Sequence, residues 1–395
     1  MKISSRLSLA AVIVILLFSA SIPASFAINY KVLRTFNGAP VDYPASGLIP
    51  DSAGNLYGVT SGAVYKLSPV AGGYKYQTLA LMTGGAADFA GGNLALDKSG
   101  NLYGATWQGG ASGCGYVYEV SPGSGGTWTL SVIYNFDCIT GAHASYTLNM
   151  DAAGNIYGGA HDGGSGDQGV AYELSPGASG WTYTVLHNFL NSEGNGPQTG
   201  LIFDSAGNLY GGNETGVFKL APNGDGTWTE TAAYTFTYDD GSNPMGDLIF
   251  DADGNLYGTN QAGGKYFSGT AFKLTPNGSG GWTSTVIHAF NYTSTHDGYF
   301  PEGGLILDAQ GNLYGTASYG GTAKYGVVFK LGLVNGVWAE QILHAFAGGT
   351  VKDGAVPQNS LYLDGLGHIF GTTEAGGNTG CSAAQGCGTI YEVTR

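Results

Sequence analysis

Between Leu305 and Phe346 the apolar and polar positions fall into four short runs. Leu305-Ile-Leu307 is wholly apolar, which suits an innermost strand buried on both faces. Asp308-Ala-Gln-Gly-Asn312 follows as a turn, because an Asp side chain accepts backbone N–H groups two residues on and Gly311 supplies a positive φ. Leu313-Tyr-Gly-Thr316 is a second strand, and a Gly-rich loop from Ala317 to Tyr325 leads to Gly326-Val-Val-Phe-Lys-Leu331. In that third run Val327, Phe329 and Leu331 share one face by the two-residue period of a strand. Trp338-Ala-Glu-Gln-Ile-Leu-His-Ala-Phe346 is the fourth, and a loop ending at Pro357 returns to the next unit.

The turn and second strand recur as an octet. Copies start at Asp51 (DSAGNLYG), Asp97, Asp151, Asp204, Asp251 (DADGNLYG), Asp308 and, more divergent, Asp364 (DGLGHIFG), at steps of 46, 54, 53, 47, 57 and 56 residues. Units of about fifty residues with four strands each predict a toroidal all-β fold, a seven-bladed β-propeller of four-stranded antiparallel blades. The seventh unit stops after its third strand, Gly388-Thr-Ile-Tyr-Glu-Val393. At the other end, Tyr30-Lys-Val-Leu-Arg-Thr-Phe36 resembles the fourth-strand runs Val185–Phe189 and Ile342–Phe346. Pairing the two termini would close the ring and remove exposed sheet edges; a solenoid would need capping repeats instead. Residues 28–395 are thus expected to form one domain.

Composition narrows the setting. Lys2 and Arg6, an apolar run from Leu7 to Phe18 and the small-residue site Ser25-Phe-Ala27 read as a secretory signal at 1–27, too short for a comfortable membrane span. Its removal leaves 12 basic against 28 acidic residues, a formal charge of −16. Nucleic acid needs a basic face and is excluded as a partner. The expected chain is a secreted or periplasmic monomer with no membrane span after signal removal. With 70 Gly, 12% aromatics and 11% charged residues, glycine marks turns and aromatics fill half-buried strands.

The pattern Asn312-Leu-Tyr-Gly-Thr316, Gly320-Gly321 and Gly326-Val-Val-Phe-Lys-Leu331 resembles the Gloeo/Verruco ("GloVer") tandem repeat of secreted bacterial proteins, across essentially the whole mature chain. The resemblance supports the fold and implies no established activity. Members often carry a C-terminal surface-sorting segment, whereas this chain ends at Glu392-Val-Thr-Arg395 inside a strand, so release is expected over covalent anchoring.

Asp251-Ala-Asp253-Gly-Asn255 begins like a calcium loop, but no Glu stands at its twelfth position and other copies replace Asp253 with Ala, Ser, Gln or Leu. Turn-stabilising Asp is the expectation, with no metal and no cofactor. His187, His288 and His344 share one position of the fourth strand and read as packing or hydrogen-bonding residues, while His368 replaces the octet Asn. His143, His161 and His296 lie in loops. Five tryptophans mark the start of fourth strands, whereas Trp107 breaks that pattern in a loop between second and third strands.

In a propeller, that loop and the blade-to-blade loop share one rim, where the long and variable segments gather. Residues leading into the innermost strands should ring the channel there: Asn93, Gln198, Asp247, Glu302 and Gln358, with Trp107 and His161 as outlying contacts. Such groups suit a carbohydrate or peptide ligand. A hydrated channel mouth without a ligand, as in a structural envelope protein, is the competing expectation. Glu302 and Asp247 as a carboxylate pair would make the chain a channel-centred polysaccharide lyase or glycosidase. Classical hydrolase, zinc-protease and phosphate-loop motifs are absent from the sequence. Four exported cysteines can pair in three ways; hairpin geometry and loop spacing predict Cys114–Cys138 and Cys381–Cys387.

Overall fold

The computed structural model describes residues 28–38, 41–84, 88–144, 146–349, 352–378, 381 and 386–394; the expected signal, 1–27, lies outside them. Seven antiparallel sheets form the blades of a β-propeller, and no α-helix occurs among the described residues. Blade six runs outward from the channel as Ile306–Leu307, Leu313–Ala317, Val327–Val334 and Val337–Ala345. These are the four runs read from the hydrophobic pattern. One expectation needs correcting: the innermost strand is not buried on both faces. Leu305 is buried, but Ile306 and Leu307 are half-buried, because the innermost strand is the free edge of its blade.

The ring closes as predicted. Asn29–Thr35 pairs antiparallel with Thr389–Thr394, with Tyr30 opposite Val393, and completes blade seven. Beyond that ladder the Phe36 N–H donates to the Gly388 carbonyl at 3.1 Å.

Seven hydrophobic clusters hold the ring, and each lies at one blade junction. Val327, Phe329 and Leu331 face blade five, whereas Val328 faces blade seven, as a two-residue period requires. The junction between the last and first blades is built alike, from Phe36, Phe370 and Ile390 against Leu48, Leu56 and Tyr65. Outer-strand tryptophans dock on the octet tyrosine of the preceding blade: Trp128 on Tyr57, Trp181 on Tyr103 and Trp282 on Tyr210, with ring centroids 5.7–6.2 Å apart. At the closing junction Tyr74 and Phe370 take these two parts, 5.8 Å apart.

The octet is a self-contained hydrogen-bonding unit. Asp251 Oδ1 accepts from the Asp253 and Asn255 N–H groups at 3.0 and 2.8 Å. Its Oδ2 accepts from Asn255 Nδ2 at 2.7 Å and Tyr257 OH at 3.0 Å, and Gly254 holds φ at 80°. His368 contacts Asp364 at 3.0 Å in place of the usual Asn. Both expected disulfides, Cys114–Cys138 and Cys381–Cys387, are present.

Candidate functional site

Counting back from the first buried Leu of each innermost strand (Leu48, Leu94, Leu148, Leu201, Leu248, Leu305 and Leu361) sorts the channel mouth into tiers. One residue before that Leu stand Gly47, Asn93, Thr147, Gly200, Asp247, Gly304 and Ser360. Asp247 draws this tier together across the channel. Its Oδ2 accepts from Thr147 Oγ1 at 2.7 Å, Asn93 Nδ2 at 3.2 Å and Ser360 Oγ at 3.5 Å, and its Oδ1 accepts from the Gly200 N–H at 3.0 Å. Donors from blades two, three, four and seven thus converge on one carboxylate of blade five. The glycine at 200 is required by this approach, since a Cβ there would sit 2.8 Å from Thr147 and 3.0 Å from Asp247 Oδ1. Burial pushes the Asp247 carboxyl above the usual carboxylate range, and the hydrogen bonds from Thr147, Gly200 and Ser360 offset only part of that shift.

Three residues before the Leu lies a second tier, which includes Gln198, Met245, Glu302 and Gln358. All five polar residues expected at the channel, Asn93, Gln198, Asp247, Glu302 and Gln358, line one cavity of about 280 Å³ together with Tyr146 and Met245. They do not act alike. Glu302 Oε1 accepts from Gln261 Nε2 at 2.6 Å, and its Oε2 accepts from Ser318 Oγ at 2.5 Å. Gln358 Nε2 donates to Glu374 Oε2 at 2.9 Å. Gln198 is nine-tenths buried, and its Oε1 has no hydrogen-bond partner among the described residues. An unpaired buried amide oxygen costs about 1–3 kcal/mol unless something else donates to it.

The partners of Glu302 and Gln358 reveal a third tier that sequence reasoning missed. Three residues past the last Gly of each octet stand Ser61, Trp107, His161, Glu214, Gln261, Ser318 and Glu374. Aligning the octets would have found it: the octet hardly varies, whereas this position changes in nearly every blade. Trp107, read as breaking the tryptophan pattern, and His161, read as a loop histidine, occupy it; both are among the expected outlying contacts, although the tier itself went unseen. Glu374 occupies it too, and burial, then the charge of Glu302, push its carboxyl up against the hydrogen bond from Gln358. The carboxylate that interacts with Glu302 is therefore Glu374 on the neighbouring blade, whereas Asp247 is engaged one tier deeper.

Trp107 stacks on His143 with ring centroids 4.8 Å apart and planes 20° apart, and lies 5.4 Å from His161. Asp162 joins the two histidines, 2.5 Å from His143 Nδ1 and 2.9 Å from His161 Nδ1. Burial pushes the Asp162 carboxyl up, but these two partners outweigh it and hold it below the usual range. Burial and then Asp162 raise the Tyr146 hydroxyl, and Tyr146 also lines the channel cavity. The cluster therefore adjoins the channel mouth through Tyr146.

A larger cavity of about 770 Å³ lies on the opposite rim between the octet turns of blades four and five, near Asp204, Asp251 and Trp282. A smaller crevice repeats it between the octets of blades two and three. Such gaps follow from setting turns side by side, and the Asp251 oxygens in them are taken by the octet itself.

No curated protein matches the chain. Among solved structures it resembles selenomethionine-substituted virginiamycin B lyase from Staphylococcus aureus, with 12% identity, TM-score 0.58 and coverage of 93% of this chain and 100% of that one. It also resembles the extracellular domain of a proposed one-component system from B. thetaiotaomicron, with 14% identity, TM-score 0.57 and coverage of 93% of this chain and 42% of that one. Identities this low show the propeller fold alone. The two disulfides are consistent with an extracytoplasmic location, and no helix among the described residues is long and apolar enough to cross a membrane. The Gloeobacter/Verrucomicrobia repeat matches residues 22–217 and 151–391, and with nearly the whole chain covered the protein belongs to that family.

Proposed function

We propose that this protein is an extracytoplasmic binding module that takes a hydroxyl-rich ligand, a carbohydrate end group, at the channel mouth above Asp247. The observation that carries the reading is the buried, unpartnered Gln198 Oε1 in a cavity walled by Glu302, Gln358 and Tyr146. A ligand hydroxyl both donates and accepts, so it suits a wall of amides and carboxylates better than a purely accepting anion would. A volume of about 280 Å³ falls just below the usual range of ligand pockets, about 300–1,000 Å³, and so favours a single sugar unit over a long chain. Trp107 already stacks on His143, so its part is to hold the side wall of the site.

The experiment is a glycan array read for both binding and turnover, followed by Gln198→Leu, Glu302→Gln, Asp247→Asn and Trp107→Ala on whatever glycan is retained. Loss of about 1–3 kcal/mol of affinity in Gln198→Leu supports the binding reading. Product formation that Glu302→Gln abolishes with binding retained would convert the site into that of a lyase or glycosidase. Unchanged binding in all four variants would overturn the location, and silence across the array, with peptides included, would leave the structural envelope role in its place.

A further inference from the structure

The histidines at the shared fourth-strand position meet acids at the outer edge of three blade junctions. At the junction of blades five and six, His288 Nε2 lies 3.2 Å from Asp297 Oδ1 and 3.8 Å from Glu340 Oε1. His288 follows from the outer strand of blade five, Asp297 from the loop after it, and Glu340 from the outer strand of blade six. At the junction of blades three and four, His187 Nε2 lies 3.0 Å from Glu193 Oε2, with Glu230 of the next outer strand beside them. In each trio the three donor atoms lie within 4.8 Å of one another. The histidine rings are set alike, edge-on to Phe290 and Phe189 at 4.7 and 4.8 Å.

We propose that His288, Asp297 and Glu340 form a divalent transition-metal site, for zinc by ligand chemistry, and that His187, Glu193 and Glu230 repeat it two blades earlier. Imidazole and carboxylate oxygens about 2.0–2.2 Å from zinc in a tetrahedron stand about 3.4 Å from one another, and the His288 distances of 3.2 and 3.8 Å bracket that edge. Glu340 Oε1 is buried and, among the described residues, has no hydrogen-bond partner outside the trio, its neighbours being His288 Nε2 and the Asp297 carboxylate. Asp297 is oriented for the same task, since its Oδ2 accepts from the Asn291 N–H at 3.0 Å and leaves Oδ1 facing His288. A cavity of about 290 Å³ beside Glu340 leaves an approach for the ion and for a water as fourth ligand. The third junction supplies an internal contrast. His344 keeps its acid, Asp353, at 3.1 Å, but the next blade contributes Tyr30, whose ring stacks on His344 at 3.6 Å where the other junctions offer a carboxylate. Bound zinc would tie adjacent blades through side chains at the rim, where strand pairing cannot.

The test uses the purified chain, stripped with a chelator and dialysed against zinc chloride, with retained zinc measured by mass spectrometry and unfolding followed thermally. One zinc per trio and a rise in Tm on zinc addition are expected. Glu340→Gln and Glu230→Gln, which keep side-chain size, should each remove one zinc or weaken its retention more than about tenfold. Tyr30→Phe should change nothing. X-ray absorption on the unmutated chain, reporting nitrogen and oxygen ligands with imidazole back-scattering, reads the same claim with no risk of misfolding. No retained zinc, or retention that neither Gln substitution alters, would overturn the proposal.

Discussion

The two rims of the ring are made from the same seven repeats and have opposite electrostatic characters. On the octet rim each Asp accepts from the backbone N–H groups two and four residues on, and Asp51, Asp97, Asp151, Asp251 and Asp308 also accept from the Tyr hydroxyl six residues on. Burial pushes the carboxyls of Asp51, Asp251 and Asp308 up, yet the Asn and Tyr side chains and backbone N–H groups of their own octets outweigh it and hold them below the usual range. On the channel rim Asp247 and Glu374 are pushed above that range by burial; the donors to Asp247 come from four other blades, and Glu374 meets the charge of Glu302 from the neighbouring blade. A polar atom whose partner lies within the repeat fixes its neighbours in every copy. One whose partner lies across the ring can differ from blade to blade, and there the chain keeps its variable side chains and its unpaired amide.

The comparison should show most strongly in acid. The folded pKa values of Asp51, Asp204, Asp251 and Asp308 lie below their ordinary value of 3.8, so the stability they contribute is present above that value and is lost as pH falls through the folded pKa values. Asp247 and Glu374 have the opposite sign: their cost is present at neutral pH and is relieved as pH falls through their raised values towards 3.8 and 4.5. Denaturation as a function of pH should therefore show a maximum in mildly acidic solution and a steep loss below about pH 4. A monotonic decline from neutral pH would break the contrast.

The next effect in size is on a single octet. Asp308→Ala leaves the Gln310 and Asn312 N–H groups, Asn312 Nδ2 and Tyr314 OH without their acceptor, and about 3 kcal/mol of stability should go in chemical denaturation. Ligand affinity measured where the variant remains folded should not change.

The octet and its spacing made the blade number, the strand order and the ring closure legible, because those depend on local turns and on a two-residue period. The disulfides were legible for the same reason: Cys114 and Cys138 flank one hairpin, and Cys381 and Cys387 share one loop. The five channel residues could be found from their place ahead of the innermost strands. Their division of labour could not, since the bonds of Asp247 to Asn93 and Thr147 span 154 and 100 residues and nothing in a repeat states which blades meet across the channel. Glu374 and His143 were missed differently. Glu374 sits at a repeat position whose variability shows only when the octets are aligned, and His143 follows from a loop whose contact with Trp107 depends on how two blades dock.

A smaller effect is expected at the channel floor. Asp247→Asn keeps the Gly200 contact and removes a carboxylate that burial disfavours, while it sets an NH2 against Asn93 Nδ2 where an oxygen accepted; the two effects offset, so stability at neutral pH should stay within about 1 kcal/mol of the parent. A loss as large as that of Asp308→Ala would mean that the channel rim is as structural as the octet rim.

The account turns on Gln198, and the most direct measurement needs no ligand: the unfolding free energy of Gln198→Leu beside the parent chain. If the amide oxygen is kept unpaired for a ligand, replacing it by an apolar group of similar size removes a buried unsatisfied atom, and stability should hold or rise by up to about 1 kcal/mol. A loss of more than about 1 kcal/mol would show that Gln198 has a structural partner in the folded chain and would contradict the assignment of the channel mouth as the binding site.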